Sequence, residues 1–512
     1  MTLTREEVAK HCAEGDAWVI VDGNVYDVSK FSKVHPGGKQ LLLDYAGKDA
    51  TEDFYGLHRA EVLDKYDNLM KGRLADAGEA VPSTETFGYI SKIPYAEPSY
   101  EQGMFSPYFK ESHKALRKAF RTFIAEEVLE EAMDCEKTGD GPSPELRRRY
   151  GELGIIAMMQ GPGEHLKLPP NGLLGGVVKP EEFDYFHEMI ITEESCRMYT
   201  PGFEDGLAGG NNIATPVVIK FGTDWMKKEV LPELLSGEKV ACLAISEAFA
   251  GSDVGGLRCR AEVDPSGNYV VKGTKKWITG GMYSDWFVTA VRTGGKGAGG
   301  ISMMLVPRSD EVKTTIIKSK YSSAAGTAFV SYDGAMVPKQ NIFGKENKGF
   351  QIIMSNFNHE RWMICVSCIG RARRCVEESF KWAMQRKVFG KPLVEQPVIR
   401  EKLAQMFSGV ESSTAMMHDV TNNMIRSGPL GAEIGGRIAL LKYTVTRMTH
   451  LVADNSVQIA GGRGVTQGGM GRIVEAFSRT YKIPAVYGGS EEIMADLAVR
   501  QAIKGYPAMA RL

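Results

Sequence analysis

The chain has 512 residues, of which 43% are hydrophobic and 24% charged, and its formal net charge is −1. A chain of this length exceeds what one hydrophobic core accommodates, so three or four packed units are expected. The balanced charge does not indicate binding to nucleic acid or to an anionic membrane surface. No run of about 18 apolar residues occurs, so no membrane-spanning helix is predicted. The stretch MTLTREEVAKHCAEGD lacks the apolar core of a secretory signal.

Residues 1–75 are predicted to form a small mixed domain with two histidines at its centre. The run AWVIVDGNVYDV indicates a β-hairpin, and the segments after it have helical spacing. The turn Pro36-Gly37-Gly38 leaves the imidazole of His35 uncrowded, and apolar residues separate it from His58. A flat apolar cofactor held by two imidazoles suits electron transfer, because no coordination position stays open. The residues available to line this slot are Leu41, Leu42, Phe54 and Leu57.

This stretch resembles the cytochrome b5 family over the whole of residues 1–75. The resemblance is carried by Trp18, by Tyr26-Asp27-Val28 and by the motifs HPGG and DATEDF. It implies that the domain binds haem b and that His35 and His58 are the two axial ligands of the iron.

The rest of the chain divides into four stretches by pattern. Residues 76–106 are rich in Pro, Gly, Ser and acidic residues and are predicted as a linker, or as a strap on the larger body. Residues 107–239 have helical spacing, 240–349 have β-type runs with Gly-rich breaks, and 350–512 are helical again. The predicted fold class is α+β with several domains: the small mixed head, a helical domain, a central β domain and a C-terminal helical bundle.

Two Gly- and Ser-rich stretches in the β-type region could approach a planar ligand closely. The segment AISEAFAGSDVGG supplies small residues and hydroxyls, and KWITGG places an aromatic side chain beside a Thr hydroxyl. Either one alone would more often be an ordinary loop. QIAGGRG is a Gly-rich break in a helical region and does not follow a strand, so it does not indicate a Rossmann nucleotide site.

Together these motifs resemble the acyl-CoA dehydrogenase family over residues 107–505. The collinear elements are FGTDWMKKEVLPELLSGEK, AISEAFAGSDVGG, KWITGG, NKGFQIIMSNFNHER, QRKVFGKPL, QIAGGRG and VYGGSEE. The resemblance implies a homodimer or homotetramer with one FAD per subunit and an acyl-CoA substrate. The implied FAD contacts are Leu243, Ile245, Ser246, Trp277, Ile278 and Thr279, then Arg386, Phe389, Gly461 and Gly462 from a neighbouring subunit, with Ser490 and Glu492 closing the site. The implied substrate contacts are Ser252, Asn358, Arg361, Tyr487 and Gly488.

The position of the residue that removes the α-proton differs between members of this family. Many members carry a Glu directly after the Tyr of a Y-E-G-T motif, but the matching position here is Gly488. Members that act on isovaleryl and certain long-chain esters carry the base just before the CoA-binding Arg, with Gly at the other position. The motif NHERW places Glu360 before Arg361, so the resemblance assigns the base to Glu360. A lone helix Glu would more often be solvated, and Glu491 and Glu492 are the alternative bases.

The expected reaction is the α,β-dehydrogenation of an acyl-CoA thioester. Glu360 would remove the α-proton while the β-hydride passes to flavin N5, and the N–H of Gly488 would donate to the thioester oxygen. The electrons would then leave through the fused haem, to oxygen or to an external one-electron acceptor. The alternatives are nitroalkane oxidation or hydroxylation on the same fold, or a haem-carrying redox module without catalysis.

The last three residues, Ala510-Arg511-Leu512, resemble the peroxisomal tripeptide signal. They predict a peroxisomal location, and without such a signal the chain would be cytoplasmic.

Overall fold

The computed structural model describes residues 1–78, 89–428, 434–507 and 510. Part of the predicted linker, residues 79–88, lies outside the described residues, as do Arg511 and Leu512 of the predicted targeting tripeptide. In the described ranges, none of the helices has the length and apolar character needed to cross a membrane.

The N-terminal head is built on a five-stranded sheet in the order β1-β5-β4-β3-β2. The predicted hairpin joins β3 to β4: Val21 pairs with Asn24, and the two turn residues, Asp22 and Gly23, both have positive φ. A turn of this kind matches the right-handed twist of the strands. The strands are β1 Thr2–Leu3, β2 Cys12–Ala13, β3 Asp16–Val21, β4 Asn24–Asp27 and β5 Met70–Leu74. The helices are α1 Arg5–Lys10, α2 Lys39–Asp44, α3 Thr51–Leu57 and α4 Glu61–Lys65.

The described part of the linker, residues 89–106, lies on the larger body as a strap. Ala96 and Glu97 are buried, and the ring of Tyr100 stacks on Phe109 with the centroids 3.6 Å apart. The Glu97 carboxylate accepts hydrogen bonds from Arg121 at 2.7 and 3.0 Å. Because a buried charge is costly unless it is paired, this ion pair ties the strap to the helical domain.

The first helical domain begins with α5, whose buried residues Leu116, Phe120 and Phe123 follow the spacing of an amphipathic helix. One-turn π-helical segments at 124–128, 205–209 and 226–230 interrupt the helices that follow. The helices are α5 Glu111–Phe123, α6 Leu129–Thr138, α7 Pro144–Glu152, α8 Ile155–Met158, α9 Tyr185–Arg197, α10 Pro201–Glu204, α11 Gly210–Phe221 and α12 Leu231–Leu235.

The central domain is an eight-stranded sheet in the order β11-β12-β8-β7-β9-β10-β13, with β6 paired to β9. The continuous apolar run of β10 is buried on both faces, because one face packs on the helical domain and the other on the remaining strands. The strands are β6 Ala241–Ala244, β7 Arg260–Val263, β8 Tyr269–Ile278, β9 Trp286–Arg292, β10 Ile301–Pro307, β11 Val312–Ile316, β12 Ala328–Val337 and β13 Ile342–Phe343.

The C-terminal domain is a helical bundle organised around the long helix α13. This helix has 37 residues and is therefore about 55 Å long. A short hairpin of β14 Lys387–Val388 and β15 Lys391–Pro392 follows it. The helices are α13 Gly349–Gln385, α14 Pro397–Ser427, α15 Ile434–Ala460, α16 Arg472–Thr480 and α17 Glu491–Lys504. The order of head, helical domain, β domain and bundle confirms the predicted fold class.

Candidate active site and haem site

A large cavity of about 1490 Å³ lies between the helical domain, the β domain and α13. Exposed residues such as Lys296 and Gly297 mark its mouth, and the buried Arg371 marks its inner part. Most residues predicted to contact FAD or substrate line this cavity. They are Leu243, Ile245, Ser246, Ser252, Trp277, Ile278, Thr279, Glu360, Arg361, Tyr487, Gly488 and Ser490.

Six predicted residues are not among the described residues that line this cavity. Asn358 lies behind it, where its Oδ1 accepts from the Arg361 guanidinium at 3.4 Å. Glu492 is exposed in the first turn of α17. The other four were expected to serve a neighbouring subunit, and in this chain they lie apart from the cavity. They are Arg386, Phe389, Gly461 and Gly462.

One wall of the cavity is formed where the ends of β6 and β8 meet. The Lys276 N–H donates to the Ser246 carbonyl at 2.9 Å, and the Lys275 ammonium donates to the Ile245 carbonyl at 3.0 Å. Trp277 has a φ of 62° and is 52% exposed, so its ring is presented to the cavity and not to the sheet. This slot of backbone, indole and small side chains fits a planar ring system, so the residues present fit the isoalloxazine of FAD.

Glu360 and Gly488 face each other in space. A Cβ atom built on Gly488 would lie 3.5 Å from Glu360 Oε1, so a side chain at either position would reach the same part of the cavity. Glu360 Oε2 is buried and has no hydrogen-bond partner among the described residues. Burial raises the pKa of Glu360, and the positive charges of Arg361 and Lys442 partly oppose this rise.

The loop at Gly488 is held by two buried cations. Lys442 donates to the carbonyls of Tyr487 and Gly489, and Arg361 Nε donates to the Gly488 carbonyl at 3.0 Å. These bonds fix a backbone in which Gly488 has a φ of 64°. Its N–H makes no hydrogen bond to any described residue. It is therefore a preformed donor for an oxygen that gains negative charge.

Lys442 was missed in the sequence analysis. It is fully buried on α15 between the apolar residues Leu441 and Val445. A lysine in a run of apolar helix residues is an informative signal, because lysine is almost never fully buried without a partner. Its partners are the backbone carbonyls of a loop 45 and 47 residues further along the chain, which no local pattern reveals.

The head brings the two predicted haem ligands to a common pocket. The ring centroids of His35 and His58 are 6.0 Å apart. Two metal–nitrogen bonds of about 2 Å, plus about 1 Å from each nitrogen to its ring centre, span this distance. The Nδ1 atoms lie 3.2 Å from the carbonyls of Gly38 and Phe54, so both Nε2 atoms are left for a metal. The pocket of about 340 Å³ includes Leu41, Leu42, Phe54 and Leu57. These residues fit haem b.

The head is docked against the far end of α13. The Arg59 guanidinium forms a buried ion pair with Glu378 at 2.5 Å, and Arg463 donates to the Gly56 carbonyl at 2.9 Å. Trp382 and Arg386 from the body line the haem pocket. Arg386 was predicted to contact the FAD of a neighbouring subunit, and within its own chain it lines the haem pocket.

A further group of possible metal ligands, His113, Asp184 and His187, is structural. The His113 Nδ1 accepts the Lys110 N–H at 2.8 Å, and its Nε2 lies 2.9 Å from Asp184 Oδ1. Asp184 Oδ1 also accepts the Phe186 N–H at 2.9 Å. The cluster therefore caps the starts of α5 and α9, and its nitrogen atoms are engaged as caps.

Comparison with family models identifies the class of the protein. The models matched are the cytochrome b5-like haem/steroid-binding domain over 4–75 and the acyl-CoA dehydrogenase N-terminal, middle and C-terminal domains over 110–238, 242–331 and 347–503. The chain belongs to the acyl-CoA dehydrogenase family. Its particular form is an acyl-CoA dehydrogenase fused to a cytochrome b5-like head, which confirms both resemblances.

Named relatives agree with this assignment. The chain is 36% identical to the acyl-CoA dehydrogenase apdG of Emericella nidulans, across 82% of this chain and 97% of the relative. It is 36% identical to an acyl-CoA dehydrogenase of Alternaria alternata, across 82% and 98%. It is 29% identical to the mitochondrial isovaleryl-CoA dehydrogenase of Arabidopsis thaliana, across 65% and 81%.

Solved structures share the fold of the body. The acyl-CoA dehydrogenase of Geobacillus kaustophilus is 26% identical and superposes with a TM-score of 0.69, covering 78% of this chain and 100% of that one. The butyryl-CoA dehydrogenase of Megasphaera elsdenii, at 22% identity and a TM-score of 0.68, covers 78% and 100% and shows the same fold.

Proposed function

We propose that the protein carries out FAD-dependent α,β-dehydrogenation of an acyl-CoA thioester with Glu360 as the base. The observation that carries the proposal is that Glu360 and Gly488 face each other, because a Cβ on Gly488 would lie 3.5 Å from Glu360 Oε1. A carboxylate at position 360 therefore reaches the place that a side chain at position 488 would otherwise occupy. When bound, FAD supplies the two-electron acceptor for the β-hydrogen. The chain's own residues supply the proton acceptor, the hydrogen-bond donor to the thioester oxygen and the contacts that hold the ester.

Each of these residues has a defined task. Glu360 Oε2 has no partner among the described residues and Oε1 faces Gly488, so the carboxylate can accept the α-proton. The Gly488 N–H donates to the thioester oxygen and stabilises the enolate charge as the proton leaves, a contribution of about 3 kcal/mol for one such donor. Arg361, Ser252 and Tyr487 line the cavity around the ester. Burial raises the pKa of Glu360, and the charges of Arg361 and Lys442 oppose part of this rise.

The test is an anaerobic titration of the full-length protein with a panel of acyl-CoA esters, followed by flavin and haem absorbance together. Bleaching of the flavin by an ester is the expected result. The absence of bleaching with every ester, combined with turnover of a nitroalkane or hydroxylation of a substrate, would replace the proposal with that chemistry. No turnover of any kind would favour a haem-carrying redox module.

We also propose that electrons leave through the fused haem and that each haem site serves the cavity of a second copy. When bound between two imidazoles, haem supplies one-electron transfer. Glu360 and Trp382, which lines the haem pocket, lie on the same helix about 33 Å apart. That span favours transfer between copies over transfer within a single chain. Arg386 lines the haem pocket of its own chain. The family resemblance also places it beside the FAD of a neighbouring subunit, which supports pairing between the haem site of one copy and the cavity of another.

Mixed oligomers test this route. One chain carries Glu360→Gln and keeps its haem, and the other carries His35→Ala and His58→Ala and keeps its base. Neither chain alone should reduce haem on addition of ester, whereas the co-expressed mixture should. Flavin bleaching without haem reduction in the mixture, beside haem reduction in wild type, would show that transfer stays within one chain. Haem that stays ferric in wild type would leave oxygen or an external one-electron acceptor as the outlet.

A further inference from the structure

The inner part of the large cavity is polar, although it lies far from the mouth. Its walls there carry Thr192 and Ser195 from α9, Glu204 at the end of α10, Asp205 directly after it, and Arg371 from α13. A pocket built only for an unsubstituted alkyl chain would be lined by apolar side chains, since a buried polar group is costly unless it is hydrogen-bonded. Thr192 and Ser195 donate to carbonyls of their own helix, and Glu204 pairs with Arg371. The polar groups of Arg371 and Asp205 that remain without a partner are the ones that a plain chain would leave unsatisfied.

Arg371 lies on the same face of α13 as Glu360, three helical turns further along. It is 7% exposed. Its Nη2 donates to Glu204 Oε2 at 2.6 Å and its Nη1 to the Tyr321 hydroxyl at 3.2 Å. Its Nε is buried and has no hydrogen-bond partner among the described residues. Arg371 lines the inner part of the cavity and carries one donor from which no described residue accepts a hydrogen bond.

Asp205 is the second polar group at this place. Its carboxyl group makes no hydrogen bond or ion pair with any described residue. Burial raises its pKa to about 7, and Arg371 opposes part of that rise while Glu204 adds to it. Near neutral pH the carboxyl group is therefore partly protonated and can either donate or accept a hydrogen bond.

The charges of this cluster decide which substituent fits. Arg371 is already paired with Glu204, and Asp205 carries a further acidic group. A carboxylate on the substrate would meet two acids and one neutralised cation in a site of low dielectric, which disfavours it. A neutral hydroxyl or carbonyl can accept from the Arg371 guanidinium, and a hydroxyl can also donate to or accept from the Asp205 carboxyl group.

We infer that the substrate acyl chain carries a hydroxyl or oxo group distant from the thioester, which Arg371 and Asp205 bind. The inference rests on the proposed function and names its substrate class. Arg371 lies about 16 Å along α13 from Glu360. Since an extended chain advances about 1.2 Å per bond, the group lies at most about a dozen bonds from the thioester.

The experiment compares matched esters on the full-length protein. Plain, hydroxylated, oxo and ω-carboxyl acyl-CoA esters of equal length, from hexanoyl to tetradecanoyl, are assayed for flavin bleaching. At the best position, the hydroxyl or oxo ester should exceed the plain ester in kcat/KM by about tenfold to a hundredfold. Equal values for plain and substituted esters, or a preference for the ω-carboxyl ester, would overturn the inference and leave the proposed function standing. No bleaching by any ester would overturn both.

Variants at Asp205 separate recognition from folding. Asp205→Asn keeps a polar group and should keep most of the preference, whereas Asp205→Leu should abolish it and improve turnover of the plain ester. The matched control is Asp253→Asn, an exposed aspartate beside Ser252 at the outer part of the same cavity, which should leave the ratio between the two esters unchanged. Calorimetry on the Glu360→Gln variant should show the same preference in Kd without turnover. An unchanged ratio in Asp205→Leu would contradict the inference.

Discussion

Helix α13 carries two glutamates, Glu360 and Glu378, that lie five turns apart and have opposite electrostatic settings. Glu360 has a buried oxygen with no partner among the described residues, and burial raises its pKa. Burial alone would also raise the pKa of Glu378, but Arg59 and Arg374 lower it to about 2. The same residue type on one helix is therefore an unpaired carboxylate, the proposed base, at one place and an anchor for the head at the other.

The comparison shows that pairing, and not burial, separates the two roles. Arg59 and Arg374 lie 2.5 and 3.0 Å from the Glu378 carboxylate. The cations near Glu360 are directed elsewhere, since Arg361 and Lys442 donate to the backbone carbonyls of the loop at Gly488. The loop takes up the hydrogen bonds that would otherwise neutralise the base.

The largest expected effect is that of Glu360→Gln. Without its proton acceptor, the enzyme should lose about a thousandfold in the rate of flavin bleaching, while the haem absorbance before ester is added stays that of wild type. The measurement is anaerobic stopped-flow absorbance with a good ester. The matched control is Glu491→Gln, because Glu491 is the alternative base and is paired with Lys482 at 2.6 Å. A larger loss in Glu491→Gln than in Glu360→Gln would reassign the base.

Next in size is the effect of Glu378→Gln on the attachment of the head. This change leaves Arg59 and Arg374 without their shared carboxylate, and breaking a buried ion pair costs about 3 kcal/mol. Denaturant titration followed by haem absorbance should show this loss, while the rate of flavin bleaching stays within a few-fold of wild type. The control is Glu52→Gln, which removes the exposed pair with Lys387 and should have little effect. Equal effects of the two variants would show that the ion pair with Arg59 does not anchor the head.

Local pattern predicted the mixed head and the order of the domains, and the family resemblance predicted the pair of Glu360 with Gly488. His35 and His58 could be predicted because the turn and the short helices that hold them lie within one stretch. Arg59 and Glu378 could not, because they are 319 residues apart and each looks like an ordinary surface charge. Asp205 and Arg371 were also missed, since the polar wall they form exists only after three helices pack together.

A smaller effect is expected from Gly488→Ala, which tests the loop opposite the base. The residue has a φ of 64°, and a Cβ atom would lie 2.5 Å from Ile364 Cδ1. The left-handed conformation alone costs about 1–2 kcal/mol for a residue with a side chain. The loop should shift and kcat/KM should fall by about tenfold, with KM changed less than kcat. The control is Gly505→Ala, which has a φ of −87° and where a Cβ atom would make only an ordinary contact, so it should behave as wild type.

The smallest effect is a pH dependence that has opposite sign at the two ends of α13. Because the folded pKa of Glu360 is raised above its ordinary value of 4.5, the folded protein binds this proton more tightly than the unfolded chain does. Wild type should therefore lose stability relative to Glu360→Gln as pH rises from 4.5 to the raised pKa, by about 1.4 kcal/mol for each pH unit in that interval. Activity should rise over the same window, since the base must be ionised.

Glu378 reverses this sign. Its folded pKa is lowered to about 2 from an ordinary 4.5, so its contribution is complete above 4.5 and is lost as pH falls towards 2. Haem absorbance in denaturant at several pH values follows the head, and the difference between wild type and Glu360→Gln in the free energy of unfolding follows the base. If the difference between wild type and Glu360→Gln in the free energy of unfolding does not change above pH 4.5, Glu360 is not an unpaired buried carboxylate. If the difference between wild type and Glu378→Gln stays flat below pH 4.5, the anchor depends on packing and not on its charge.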